Sequence, residues 1–165
     1  MAQFWQTTQI LFTQIGITSP PLIEKYLRRP SPKYIFNLII NSMEKTGFPK
    51  DLFTKEETEA TYFISSIEHK KEFFTKVIDI TKSVTNSNFN IDVLNILKGL
   101  EAENTNKFLQ MFHKASQTKE EVYKPIIQKY MEKNQILMED RQIIKENDAQ
   151  KQNNEINTIK VKIIF

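Results

Sequence analysis

The chain has 165 residues and a mass of 19.5 kDa, a length that suits one domain with an extension rather than two full domains. About 39% of it is apolar, with twelve phenylalanines to fill a single core; the absence of cysteine excludes a disulfide framework, a thiol nucleophile and a cysteine-based zinc site. The formal charge of +3 comes from 23 basic and 20 acidic residues interleaved along most of the chain, too weak an excess to point to nucleic acid.

The opening residues, MAQFWQTTQILFTQIG, lack the basic start and long apolar stretch of a secretory signal. No apolar run approaches the roughly 18–20 residues of a membrane span, so no membrane span and a soluble, intracellular setting are expected. Within the opening, Phe4, Thr8, Leu11 and Ile15 fall on one helical face, and Gly16 supplies a stop. Ser19-Pro20-Pro21 opens a short helix whose buried side is read as Leu22, Tyr26 and Leu27, with Pro30 and Pro32 ending it. The strongest helix follows over 33–46, with Ile35, Leu38, Ile39 and Met43 on one face, Tyr34 and Phe36 beside them, and Gly47 closing it.

Thr54 with Glu57 has the spacing of a capping box, and Ser65 with Glu68 repeats it ahead of the next long helix. That helix carries Phe73, Val77, Ile80 and Val84 in one stripe, with Phe74, Ile78 and Thr81 alongside. After an Asn86-Ser87-Asn88 loop, Val93, Leu94 and Leu97 predict a short helix ended by Gly99; a further helix from about Glu103 carries Phe108, Leu109 and Phe112. The expectation is about six helices and no strand before the tail.

Beyond Thr118 the texture changes. Thr118 with Glu121 forms a third capping-box pattern, and Val122, Ile126, Ile127 and Tyr130 give a stripe that Pro125 is expected to kink. Farther on the chain is rich in Lys, Glu, Asn and Gln, with Ile136 and Leu137 recurring seven residues later as Ile143 and Ile144. One heptad step is too short for a coiled coil. The ending, Ile159 to Phe165, alternates apolar and basic residues like an edge strand. Ile136, Leu137, Ile143, Ile144, Ile163 and Phe165 are the candidate partner contacts of this tail.

Chemistry is hard to find. Gly16, Gly47 and Gly99 all fall where helices stop, and neither Walker nor dinucleotide-binding spacing occurs. His69 and His113 are isolated, which makes a poor metal site. Glu56, Glu57, Glu59, Glu120 and Glu121 cluster in first turns, where the helix dipole accounts for them without catalysis. No catalytic residue, cofactor or metal is expected, and the chain is read as a non-enzyme.

One ordered series carries specific information. Pro20-Pro21-Leu22-Ile23-Glu24-Lys25-Tyr26-Leu27-Arg28-Arg29-Pro30, then Lys33-Tyr34-Ile35 and Thr46-Gly47-Phe48, resembles the N-terminal domain of the TRAF3-interacting, microtubule-interacting protein family, subunits of the intraflagellar transport B complex. The likeness continues through the runs Asp51 to Glu57, Lys71 to Asp79 and Gly99 to Gln110, and covers about residues 17–117. It implies an all-α, calponin-homology-like domain that binds tubulin, and a role in moving or docking cargo in cilia. The organisation expected is thus a domain over 1–118 and a helical or partly disordered extension over 119–165.

The family's long charged middle region and C-terminal coiled coil do not follow before Phe165. A short relative of this kind is expected to be a fixed structural component of the axoneme, in the cilium or flagellum and its cytoskeleton. The alternative is an adaptor of intraflagellar transport complex B that recognises another transport subunit or cargo. Tubulin's exposed tails are acidic, so the candidate binding residues are cations: Lys25, Arg28, Arg29 and Lys33 around one corner, and Lys45, Lys50 and Lys55 around the next. If the two corners adjoin, they form one cationic edge.

Overall fold

The computed structural model describes residues 3–164, the last of them by its backbone alone, so the predicted contact at Phe165 lies outside the described residues. Among those residues the chain is all-α, with α1 (Phe4–Gln14), α2 (Glu24–Leu27), α3 (Pro32–Thr46), a 3₁₀ turn (Glu56–Thr58), α4 (Ala60–Ile64), α5 (Ile67–Thr85), α6 (Val93–Lys98), α7 (Ala102–Ser116) and α8 (Glu120–Ile164), and no strand. It forms two compact units, Met1–Ile127 and Gln128–Phe165. No helix among the described residues is long and apolar enough to cross a membrane.

In the first unit α7 packs between α1 and α5, and α4 and α6 flank α5. Phe108, Leu109 and Phe112 of α7 are fully buried, as are Ile35, Leu38 and Ile39 of α3. Aromatic rings carry much of the remaining core. Phe36 stacks on Phe63 at 4.2 Å, Phe73 lies 4.8 Å from Phe36, and Phe53 stacks on Phe73 at 4.9 Å. Burying each such ring is worth roughly 1.5–3 kcal/mol, enough to fix where α3, α4 and α5 meet.

Local chemistry sets the ends. Ser31 caps α3 by accepting from the Tyr34 N–H at 3.1 Å, with Pro32 at the first helical position. Gly47 closes α3 at φ +77°, a left-handed conformation that a side chain would strain. The Thr54–Glu57 capping box forms in both directions, each backbone N–H lying 3.3 Å from the other side chain.

Several expectations shift by one residue. The buried face of α1 is Trp5, Thr8 and Phe12, because Phe12 meets α7 edge-on at His113; Phe4, Leu11 and Ile15 are half-buried flanks. Tyr26 of α2 faces solvent and leaves Leu27 as the buried anchor. The cap of α5 is Ser66, which accepts from the His69 N–H, while Ser65 turns back to bond the Tyr62 carbonyl. In α6 the buried residue is Ile96, and Leu94 is exposed. Seven helices precede α8, since α4 is a separate five-residue helix.

At the start of α8 the stripe is Tyr123 and Ile127, both buried, while Val122 is exposed. Tyr123 meets Phe48 edge-on at 4.9 Å. Its hydroxyl makes a long bond to the Gly47 carbonyl at 3.4 Å.

The second unit is helical through Ile164, so the edge strand predicted at 159–165 does not form over its described part. A lone strand would leave its backbone N–H and C=O groups without a ladder, whereas a helix pairs them internally. Ile136, Leu137, Ile143, Ile144 and Ile163 are all exposed. The seven-residue step also recurs in weak Gln-to-Glu contacts one turn apart: Gln128–Glu132, Gln135–Glu139 and Gln142–Glu146, at 3.4 to 3.5 Å.

Candidate functional site

A helix of four residues cannot stand by itself, since free helices shorter than about 12–15 residues are marginal in water. The segment leading into and through α2 is held by side chains that reach its main-chain carbonyls. Asn41 donates to the Ser19 carbonyl, Tyr34 Oη to Pro21 at 2.8 Å, Gln9 Nε2 to Leu22 at 2.8 Å and Asn106 Nδ2 to Leu27 at 2.8 Å. These donors come from α1, α3 and α7. Burial, with the neighbouring Tyr26 hydroxyl, pushes the Tyr34 phenol up to about 12, so it remains a neutral donor at any physiological pH.

Asn106 is the deepest of the four, fully buried. Its second Nδ2 proton goes to the Ala102 carbonyl at 2.9 Å, and its Oδ1 accepts from the Thr8 hydroxyl at 2.7 Å. Gln110 continues the ladder, donating to Thr8 Oγ1 at 3.1 Å and to the Phe4 carbonyl at 3.0 Å. One polar column thus ties α1, the end of α2 and α7 together inside an apolar core.

On this support stand Lys25, Arg28 and Arg29, with Lys33 in the first turn of α3; all four are exposed. Arg28 pairs with Glu24 at 2.7 Å and reaches Gln3. Lys25 lies 5.8 Å over the Tyr26 ring, which in turn leans on Tyr34 at 5.6 Å. Tyr26 is 39% exposed and Ile23 45%, so apolar surface adjoins the cations. Lys25, Arg29 and Lys33 enter no ion pair among the described residues.

The second predicted corner is elsewhere and is differently built. Lys33 and Lys45 are twelve residues apart on one helix, about 18 Å along its axis, so these two cations stand at opposite ends of α3. Lys45 places its ammonium beside Gly16. Lys50 pairs with Glu120 at 3.3 Å. The Glu120 hydrogen bond and charge, with Asp51 nearby, hold the Lys50 ammonium above the usual lysine range. Lys55 stands next to Glu56 and Glu57 in the chain. An anion therefore offsets Lys50 and carboxylates flank Lys55 in the chain, while Glu24 is the one carboxylate in the stretch 19–33.

The distribution of charge along the chain points the same way. The first fifty residues hold six cations against two carboxylates, and the remainder holds 17 against 18, so the chain's positive excess lies in this N-terminal portion. The histidines belong to packing: His69 stacks on Tyr62 at 3.8 Å, and burial against Phe12 pushes the His113 pKa down. Among the described residues no group of three or more His, Asp or Glu is placed to hold a metal ion.

Comparison with known proteins gives a consistent frame. Residues 4–118 match the family described as the microtubule-binding protein MIP-T3 CH-like domain. The chain is 32% identical over 103 residues to TRAF3-interacting protein 1 of Mus musculus, an overlap covering 62% of this chain and 16% of the relative. The Rattus norvegicus protein of the same name gives the same values. The Danio rerio protein is 31% identical over 98 residues, covering 59% and 15%. The chain spans about a sixth of the length of these curated relatives.

Proposed function

The chain belongs to the family of microtubule-binding MIP-T3 CH-like domains, and from that premise we propose that it acts by binding tubulin through the corner formed by Lys25, Arg28, Arg29 and Lys33. The observation that carries this reading is the gathering of four exposed cations against one carboxylate beside exposed Tyr26 and Ile23. Acidic, flexible chains such as tubulin's tails are attracted to such a surface over about one Debye length, roughly 8 Å at physiological salt. Each exposed charge pair contributes only about 0–1 kcal/mol. The cations orient the encounter, and Tyr26 and Ile23 supply the desolvated contact that holds it.

The extension belongs to the same proposal: its exposed residues Ile136, Leu137, Ile143, Ile144 and Ile163 meet a protein neighbour, while the first turns of α8, with buried Tyr123 and Ile127, pack with the domain. We infer that it acts in the cilium, docked on the axoneme, a reading that the likeness to TRAF3-interacting protein 1 supports. Co-sedimentation with microtubules tests the reading. The chain pellets with intact microtubules at low salt and far less with microtubules whose acidic tails have been removed by protease. Failure to pellet at low salt contradicts direct tubulin binding.

A further inference from the structure

The cationic corner contains an acceptor that its own charges advertise. Arg28-Arg29-Pro30-Ser31-Pro32 places a serine three residues after one arginine, two after another, and directly before a proline. Ser31 is exposed and its backbone is extended, at φ −74° and ψ 157°, the conformation to which the following proline biases it. The hydroxyl accepts from the Tyr34 N–H at 3.1 Å and donates to no group among the described residues, so its proton is available. Residues 28–31 lie outside any regular helix, between α2 and α3. Arg28 is held by Glu24 through a solvated contact in which both side chains are about half exposed, so it can turn to another acidic surface.

We propose that Ser31 is a phosphorylation site for a proline-directed protein kinase that selects arginine three residues before the acceptor, and that the phosphate discharges the cationic corner. The reacting step is ordinary phosphoryl transfer from a nucleoside triphosphate. Ser31 Oγ attacks the γ-phosphorus, the bond to the β–γ bridging oxygen breaks, the nucleoside diphosphate leaves, and the kinase's base takes the hydroxyl proton. Acidic subsites on the kinase are the natural complement of Arg28 and Arg29.

The product carries about −1.5 to −2 charges at neutral pH. Lys25, Arg28, Arg29 and Lys33 against Glu24 leave a formal surplus of three positive charges at the corner, and the phosphate removes at least half of it. It also offers three acceptor oxygens to Arg29 and Lys33, the neighbours that otherwise stand free for an acidic ligand. Neighbouring cations thus serve as recognition elements for the kinase and then as partners of its product. The second half of the inference rests on the tubulin-binding reading above; the first half does not.

The test treats the full chain with ATP and a kinase of this specificity, then maps the product by peptide mass spectrometry. Incorporation of one phosphoryl group at Ser31, absent in Ser31→Ala and retained in Ser31→Thr, is the expected result. The threonine variant keeps both the acceptor and the helix cap, so it separates loss of the site from loss of α3. No incorporation, or incorporation only at other hydroxyls, overturns the site. Phosphorylated chain is then compared with unmodified chain in microtubule co-sedimentation, where binding is expected to weaken about tenfold. Equal binding of the two forms overturns the discharge. Absence of pelleting by the unmodified chain overturns the discharge through its premise, while the mapped phosphoserine still stands for the site.

Discussion

Asn106→Ala is expected to loosen the whole support of the cationic corner. The substitution removes the donor to the Leu27 carbonyl and the acceptor for the Thr8 hydroxyl, in a position of zero exposure. An orphaned buried carbonyl costs about 1–3 kcal/mol. Thr8 keeps its bond from Gln110, so its loss is smaller, about 1 kcal/mol. Together these give about 3 kcal/mol, or a fall of roughly 10 °C in melting temperature for a domain of this size. Urea denaturation followed by far-UV circular dichroism reads the loss directly. A cycle with Thr8→Ala should show coupling above about 0.5 kcal/mol, since the two side chains share a bond. Asn106→Asp adds a signed test. The oxygen that replaces Nδ2 would face the Leu27 and Ala102 carbonyls, so the carboxyl must stay protonated and its folded pKa rises above the unfolded value of about 3.9. Stability is then greatest below that value and falls as pH climbs through the folded pKa, each unit of elevation costing about 1.4 kcal/mol at neutral pH. Additive effects in the cycle, a cost below about 1 kcal/mol for Asn106→Ala, or an Asp variant equally stable at pH 3.5 and 7 would refute this reasoning.

Three further outcomes are expected. Burial opposes ionisation of Glu57, but the hydrogen bond from Lys76 at 2.7 Å and those from Thr54 outweigh it and hold the carboxyl below its ordinary range. This stabilisation is present above the unfolded glutamate pKa and is lost as pH falls through the folded one, so Glu57→Gln should cost about 1–2 kcal/mol at pH 7 and little at pH 3 in acid-titrated melts. Gly47→Ala, forced to φ +77° with no steric neighbour, should lose about 1–2 kcal/mol of stability in the same urea assay, from backbone strain alone. Ending the chain after Ile127 should leave the melt of the first unit unchanged. Ending it after Thr118 strips buried Tyr123 and Ile127 from the core and should lower stability by about 3 kcal/mol.

Much of the fold was legible because local chemistry and tertiary packing agree. Thr54 and Glu57 announce their reciprocal bonds in four residues of sequence, and Phe73, Val77 and Ile80 show the 3.6-residue period of α5. In α1 the signal was weaker: that helix carries no charged residue, so its buried face is chosen by contact with α7 and not by contrast with solvent. Asn106 was invisible as a structural hub, since its partners lie 98 and 79 residues away and a buried amide looks like any other polar residue in one dimension. At the candidate site the cations could be named, but their grouping depends on α3. The helix period alone puts Lys33 and Lys45 a helix length apart. The sequence placed Tyr26 inside; the structure tilts it onto Tyr34 with its outer edge in solvent, which makes it part of the candidate contact.

On the proposed function, binding energy for tubulin enters at residues 23–33. Microtubule co-sedimentation over a range of salt, with two triple variants of equal net charge, tests it most directly. Lys25→Gln/Arg29→Gln/Lys33→Gln alters the corner, and Lys71→Gln/Lys107→Gln/Lys124→Gln removes three exposed cations elsewhere. Three lost contacts of about 0.5 kcal/mol each predict roughly tenfold weaker binding and a shallower salt dependence for the corner variant. The second variant should bind within about twofold of the unaltered chain. Equal weakening by both would show that net charge and not this corner governs binding, and unchanged binding by the corner variant would contradict the claim outright.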